Sequence, residues 1–123
     1  ASSGAVDTGY GIFVITGFEN LTGGSAADTL TGDGNTNTLT GGLGGDTFVY
    51  ADSAGTDTIS DFSITDGDVI DLSGLTGVTD FADLSANHLT QQGDDTWVDN
   101  GSGDVLILAG IDKDDLTSGQ FVF

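Results

Sequence analysis

Side chains that donate oxygen recur in this sequence at a fixed interval. Asp28, Asn37 and Asp46 stand nine residues apart, Glu19 extends the series backwards, and Asp57 resumes it after a short insertion at Tyr50-Ala51. Carboxylate and amide oxygens are hard donors that suit a hard cation such as Ca²⁺. Soft or imidazole donors are nearly lacking, since the chain has no Cys and a single His, His88. The global charge points the same way. Twenty acidic residues face one basic residue, Lys113, for a net charge of −19. Self-repulsion on that scale opposes compaction, so a folded state needs neutralising cations. Disorder fits poorly with apolar residues that recur at regular intervals.

The elements that must position these oxygens follow from the same register. Two places after each donor comes a large apolar residue: Leu21, Leu30, Leu39, Phe48 and Ile59, with Ile12 continuing the series upstream. Written as nonapeptides, the units are GGSAADTLT (23–31), GDGNTNTLT (32–40), GGLGGDTFV (41–49) and DSAGTDTIS (52–60). The third satisfies G-G-x-G-x-D-x-U-x, a calcium-binding β-helix repeat. Glycines at the first, second and fourth places permit a tight turn with carbonyls aimed at one centre. The last three residues form a short strand whose middle residue points inward. Two units make one coil of a flattened helix, so Asp28 with Asp46 defines one row of turns and Asn37 with Asp57 the other. The Asn37 side is expected to bind more weakly, with Asp33 compensating. The competing reading is a metal-free Gly/Thr solenoid.

Residues 61–79 read as a transition. Asp61, Asp66, Asp68 and Asp71 surround the inward candidates Phe62, Ile64, Val69, Ile70 and Leu72. Either this is an acidic loop between strands, or Asp57, Asp61 and Asp66 or Asp68 form a further calcium site that closes the roll. Beyond it, Asp80–Asn87 suits one or two helical turns with Phe81 and Leu84 on one side. Residues 88–110 then read as two or three antiparallel strands, with turns at 93–95 and 100–103. Val105 to Gly110 is apolar on both alternating sets, which predicts a strand buried on both faces. A solenoid needs such a cap over its open end. The expected fold is all-β: a short parallel β-roll, or β-solenoid, of nonapeptide repeats with a C-terminal antiparallel β cap. The expected division is a roll over 1–79, with repeats at about 14–60 and the transition at 61–79, followed by a cap over 80–123.

Several function classes are excluded. With one His and no HExxH, Cys/His cluster or G-x-S-x-G element, an enzyme is not expected. Paired Asp residues imitate a glycosidase dyad, but cation-binding turns account for them better. His88 reads as a surface or cap residue. One Lys argues against nucleic acid and anionic lipid headgroups. No apolar run reaches the ~20 residues needed to span a membrane, and an N-terminal charged-then-apolar signal peptide is not expected. A chain that begins at Ala1 is expected to be a processed or excised piece, with any catalysis upstream.

These residues resemble a known family. GGSAADTLT and GGLGGDTFV, then DTISDF, GDVIDLSGL and the ending LAGIDKDDLTSGQFVF, are similar to RTX proteins. More narrowly they resemble the C-terminal domain of type I secretion substrates such as serralysin-like metalloproteases, secreted lipases, mannuronan epimerases and large adhesins. The resemblance covers about 17–123. It implies a β-roll holding several Ca²⁺ ions, ligated by the side chains of Asp28, Asp46 and Asp57 and by carbonyls of Gly23, Ser25, Gly41, Gly42, Leu43 and Gly44. It also implies an export signal at the C-terminus, where Phe121-Val122-Phe123 follows Asp-Asp-Leu, and thus the type I secretion machinery as partner and a secreted, extracellular or cell-surface location. Having only about four units, two of them degenerate, sets this chain apart from long arrays.

Charge and calcium together then predict a chain kept open where calcium is scarce and folded where it is plentiful, with Kd values of about 10⁻⁴–10⁻³ M. Two other classes compete with a pure folding module. Thr29, Thr31, Thr38, Thr40, Thr47 and Thr58 are expected to face outward, and such arrays can bind ice or carbohydrate, although Thr also simply suits exposed strands. A structural unit that self-associates through coil ends or edge strands is the other.

Overall fold

The computed structural model describes the main chain of residues 11–14 and all of residues 20–32, 34–101 and 103–123. Glu19, Asp33 and the side chain of Ile12 lie outside this set. Short strands follow one another with a turn at each end: β1 (Gly11–Val14), β2 (Asn20–Thr22), β3 (Asp28–Thr31), β4 (Thr38–Thr40), β5 (Thr47–Val49), β6 (Thr56–Ile59) and β7 (Val69–Asp71). Odd and even strands separate into two sheets. One runs β1-β3-β5-β7 and the other β2-β4-β6, with every pairing parallel. This is the two-units-per-coil winding that the nine-residue period requires.

Register sets the core. Leu30, Phe48 and Ile70 are cross-strand partners in one sheet, as are Leu21, Leu39 and Ile59 in the other, and each is at most 1% exposed. These six stack between the sheets with Tyr50, Phe62 and Leu72. Each unit alone offers one apolar side chain, so burial depends on stacking neighbours. In the transition, Phe62, Ile70 and Leu72 are buried and Ile64 packs against the core, whereas Val69 faces outward.

The C-terminal third closes the roll. After α1 (Phe81–Asp83) and a π-turn over Leu84–His88 come β8 (Leu89–Gln92), β9 (Asp95–Asp99), β10 (Val105–Leu108) and β11 (Phe121–Val122). Asp80 caps α1 by accepting from Asp83 N at 2.8 Å. β8, β9 and β10 pair antiparallel in sequence order, and β10 also pairs parallel with β6. β11 adds to β7 in parallel, which brings Phe121 onto Ile70. The cap thus extends both sheets. The expectation that the 105–110 segment is buried on both faces is corrected. Leu106 and Leu108 are buried, but Val105, Ile107 and Ala109 are half-buried because nothing in the described residues covers the outer face of that sheet, and Gly110 is exposed.

Candidate metal centre

One end of the roll carries the turns that enter β3, β5 and β7. Here the sixth-place aspartates form a ladder. Asp28 N donates to Asp46 Oδ1 at 2.9 Å, and Asp46 N donates to Asp68 Oδ1 at 2.8 Å. Each carboxylate straps the main chain of the preceding coil. Asp28 also accepts from Gly24 N at 2.8 Å, and Asp68 from Ser63 N at 2.8 Å. Asp61 accepts from both Gly41 N (2.9 Å) and Gly42 N (2.8 Å) and clamps the start of the middle turn. Asp28, Asp46 and Asp68 are 2%, 0% and 2% exposed.

Two oxygens in this ladder lack a partner: Asp28 Oδ1 and Asp46 Oδ2 are buried without a hydrogen bond. A buried acceptor left unsatisfied costs about 1–3 kcal/mol, and more when charged. The electrostatics agree. Burial, assisted by the charges of Asp68, Asp28 and Asp61 and only partly offset by Asp28 N–H, pushes the Asp46 carboxyl up to about 6. Burial likewise raises Asp68, with Asp61 and Asp66 adding repulsion against the opposing N–H groups of Asp46 and Ser63. Without a counter-cation this end is a stack of mutually repelling, poorly solvated carboxylates.

The backbone leaves space for oxygen donors and not for side chains. A Cβ on Gly23 would lie 2.6 Å from the Gly41 carbonyl oxygen, and one on Gly42, whose φ is +88°, would run into the Gly24 carbonyl. Glycine is needed there both for its conformation and for the closeness of the next turn. Orphaned carboxylate oxygens, carbonyls packed turn against turn and no sulfur or nitrogen donor fit a hard divalent cation. Among the described residues no three or more acidic, His or Cys side chains converge to hold an ion by themselves. Carbonyl oxygen must supply much of any shell.

The opposite end is built differently. Asn37 N donates to Asp57 Oδ1 at 2.9 Å, and both side chains are 1% exposed. The next register position holds Leu106, the partner of Asp57, so the row stops there. Protein groups finish the seam. Asp104 accepts from Ser53 N at 2.9 Å and Gly55 N at 3.2 Å, Asn100 Nδ2 donates to Asp104 at 2.8 Å, and the buried Tyr50 hydroxyl donates to the Gly55 carbonyl. The Ser53 N–H foremost, then Asn100 and Gly55, holds the Asp104 carboxyl below the usual range. Burial, then Asp57 and Asp104, pushes the Tyr50 hydroxyl up.

The structure brings Asp28, Asp46, Asp61 and Asp68 together, and Asn37 with Asp57. A single closing site drawing on Asp57, Asp61 and Asp66 or Asp68 does not form: Asp57 opens β6 whereas Asp61 follows its other end, so the two lie on opposite rows. The Asp66 side chain is exposed, and its N–H bonds Ser63 Oγ at 3.1 Å. Ser25 and Leu43 are exposed, leaving only their main chain to the turns. Asp104 and Tyr50 were not singled out from sequence, since one stands outside the nine-residue register and the other sits in an insertion. Of the two readings of His88, surface or cap, it takes the cap: it is partly buried there, with Nδ1 2.7 Å from the Asp99 carbonyl and Nε2 3.5 Å from Asp83. A shallow depression of about 380 Å³ lies between Asp52, Ser53, Thr76 and Asp104, but Asp52 is tied to Thr76 and Asp104 to the seam.

Comparison with known proteins bears on the family and the fold. The family model described as Peptidase M10 serralysin C terminal matches residues 3–118. No curated protein matches. Among solved structures, the extracellular lipase LipA from Serratia marcescens superposes with a TM-score of 0.62 at 22% identity over 95% of this chain. The chain spans 20% of that lipase's length. At this identity the likeness establishes the fold.

Proposed function

We propose, for a chain that belongs to the serralysin C-terminal family of the M10 peptidases, that it serves its parent as a non-catalytic folding module governed by calcium. The domain is the C-terminal RTX part and not the catalytic peptidase domain. The observation that carries the calcium reading is the pair of buried, partnerless oxygens, Asp28 Oδ1 and Asp46 Oδ2.

In this reading Asp28 and Asp46 ligate one ion with carbonyls of Gly23, Ser25, Gly41, Gly42, Leu43 and Gly44. Asp61 and Asp68 serve the next gap in the same row, and Asn37 with Asp57 serves the other row. When bound, Ca²⁺ supplies positive charge to carboxylates that burial otherwise sets against ionisation. The chain's own residues do the rest. Carboxylates strap each turn to its neighbour, glycines admit the close approach, and the stacked Leu and Phe side chains bury the core once the coils are in register. Because ions bind only the folded state, stability rises by mass action with calcium. Residues 1–79 act as the roll and 80–123 as its cap, with Phe121-Val122-Phe123 as the end of a type I export signal. In a calcium-poor cytosol the net charge of −19 keeps the chain open for export, and extracellular calcium closes it.

Far-ultraviolet circular dichroism with chelator and with millimolar calcium tests this. The expected result is a β spectrum that develops only on calcium addition. A chain fully folded in chelator, with no change on titration, overturns it.

A further inference from the structure

On the outer face of the six-stranded sheet β2-β4-β6-β10-β9-β8 the outward side chains are half-buried or exposed. Cross-strand register lays one row of outward side chains across it: Thr38, Thr58, Ile107, Trp97 and Thr90. With strands ~4.8 Å apart, these five positions span roughly 19 Å. Trp97 is the single Trp of the chain and is 36% exposed. Its strand neighbours at i±2, Asp95 and Asp99, point to the same face. Each contributes one oxygen to a turn, Asp95 Oδ1 accepting from Gly110 N and Asp99 Oδ1 from Gly101 N. The indole is thus flanked along its strand by two carboxylates and across the sheet by Ile107 and hydroxyls.

We infer that this face binds a cationic polysaccharide, a polymer of amino sugars with free ammonium groups. Charge complementarity selects the occupant: a domain of net charge −19 with carboxylates on both sides of its platform repels polyanions and attracts ammonium groups. The indole discriminates within that class. It offers a flat apolar surface for the ring face of a sugar and attracts cations held over it. Thr38, Thr58 and Thr90 donate and accept hydrogen bonds along the row, which suits ring hydroxyls. A basic peptide satisfies the charge but not the flat stacking surface or the hydroxyl row.

The experiment uses the calcium-loaded domain and glucosamine oligomers, with N-acetylglucosamine oligomers and polylysine of similar length as comparators. Titration calorimetry measures affinity, and the fluorescence of Trp97 reports contact directly because no other indole is present. The glucosamine oligomer is expected to bind and shift the emission, and the neutral N-acetylated oligomer to bind about tenfold more weakly, as loss of the charge term implies. Trp97→Ala lowers affinity by about tenfold or more, Trp97→Phe retains part of it, and Asp95→Asn with Asp99→Asn lowers its salt dependence while keeping an acceptor oxygen for each turn. Circular dichroism of every variant establishes that it is folded. Binding of polylysine equal to that of glucosamine, equal binding of the N-acetylated oligomer, or an unshifted Trp97 emission on saturation each overturns the inference.

Discussion

The two ends of the roll solve the same problem with different chemistry. At the Asp28–Asp46–Asp68 end, carboxylates stack on one another, two of their oxygens lack partners, and the Asp46 carboxyl is pushed up to about 6. At the Asn37–Asp57 end the ladder begins with a neutral amide and terminates at Leu106, and Asp104, Asn100 and Tyr50 complete the seam with hydrogen bonds. One end is designed around missing positive charge and the other is largely satisfied by its own protein groups. The comparison teaches that a nine-residue repeat specifies the coil, while the residues at its sixth place decide whether a turn depends on an ion.

The largest expected effect is at the first end. Asp46→Ala removes a ligand and the strap on Asp28 N together, so calcium-dependent folding is lost or its midpoint rises by about tenfold or more. Calcium titration by circular dichroism measures it; an unchanged midpoint would break the comparison. Next comes Phe48→Ala, expected to cost about 3–5 kcal/mol in the calcium-loaded state through the cavity it leaves. Urea unfolding should show the loss with calcium affinity reduced only through folding. Tyr50→Phe is smaller, about 1 kcal/mol, and is expected to lower the melting temperature without lowering the number of ions in native mass spectrometry. Ion loss there would show that the ion of the Asn37–Asp57 row is held through Tyr50 and not only through its own donors.

Acidity gives the two states opposite signs. The folded Asp46 carboxyl, at about 6, lies above its ordinary value near 3.9, and Asp68 is shifted the same way. The metal-free fold therefore binds protons more tightly than the unfolded chain. The contribution of Asp46 to its stability is fully present below about pH 4 and is lost as pH rises through about 6. In chelator, acidification from pH 7 to about 4.5 should therefore favour folding, read as a gain of β signal in circular dichroism. In calcium, protons compete with the ion, and affinity should fall over the same window. An identical response to acid with and without calcium would contradict this assignment.

Much of this was legible from residue spacing. Leu21, Leu30, Leu39, Phe48 and Ile59 fall on the core because the nine-residue period turns each inward, with every second unit returning to the same sheet. The same period places Asp28 opposite Asp46 and Asn37 opposite Asp57. What was not legible depends on contacts without a period. Val105–Leu108 is apolar on both alternating sets, so its sequence could not show that β10 would add to β6 and leave Ile107 half open. Asp104 ties Ser53 N–H into the seam from outside the register, and Tyr50 turns an insertion into part of the core. The split of Asp57 from Asp61 follows from four residues of strand between two turns, a distance invisible when both are read as one acidic run.

The most direct measurement is anomalous diffraction from crystals of the domain grown with millimolar calcium. The account predicts a calcium peak between the turns 23–28 and 41–46, with Asp28 Oδ1 and Asp46 Oδ2 at about 2.3–2.6 Å. A well-ordered map with both oxygens bonded only to protein or water, and no anomalous peak beside them, would contradict it.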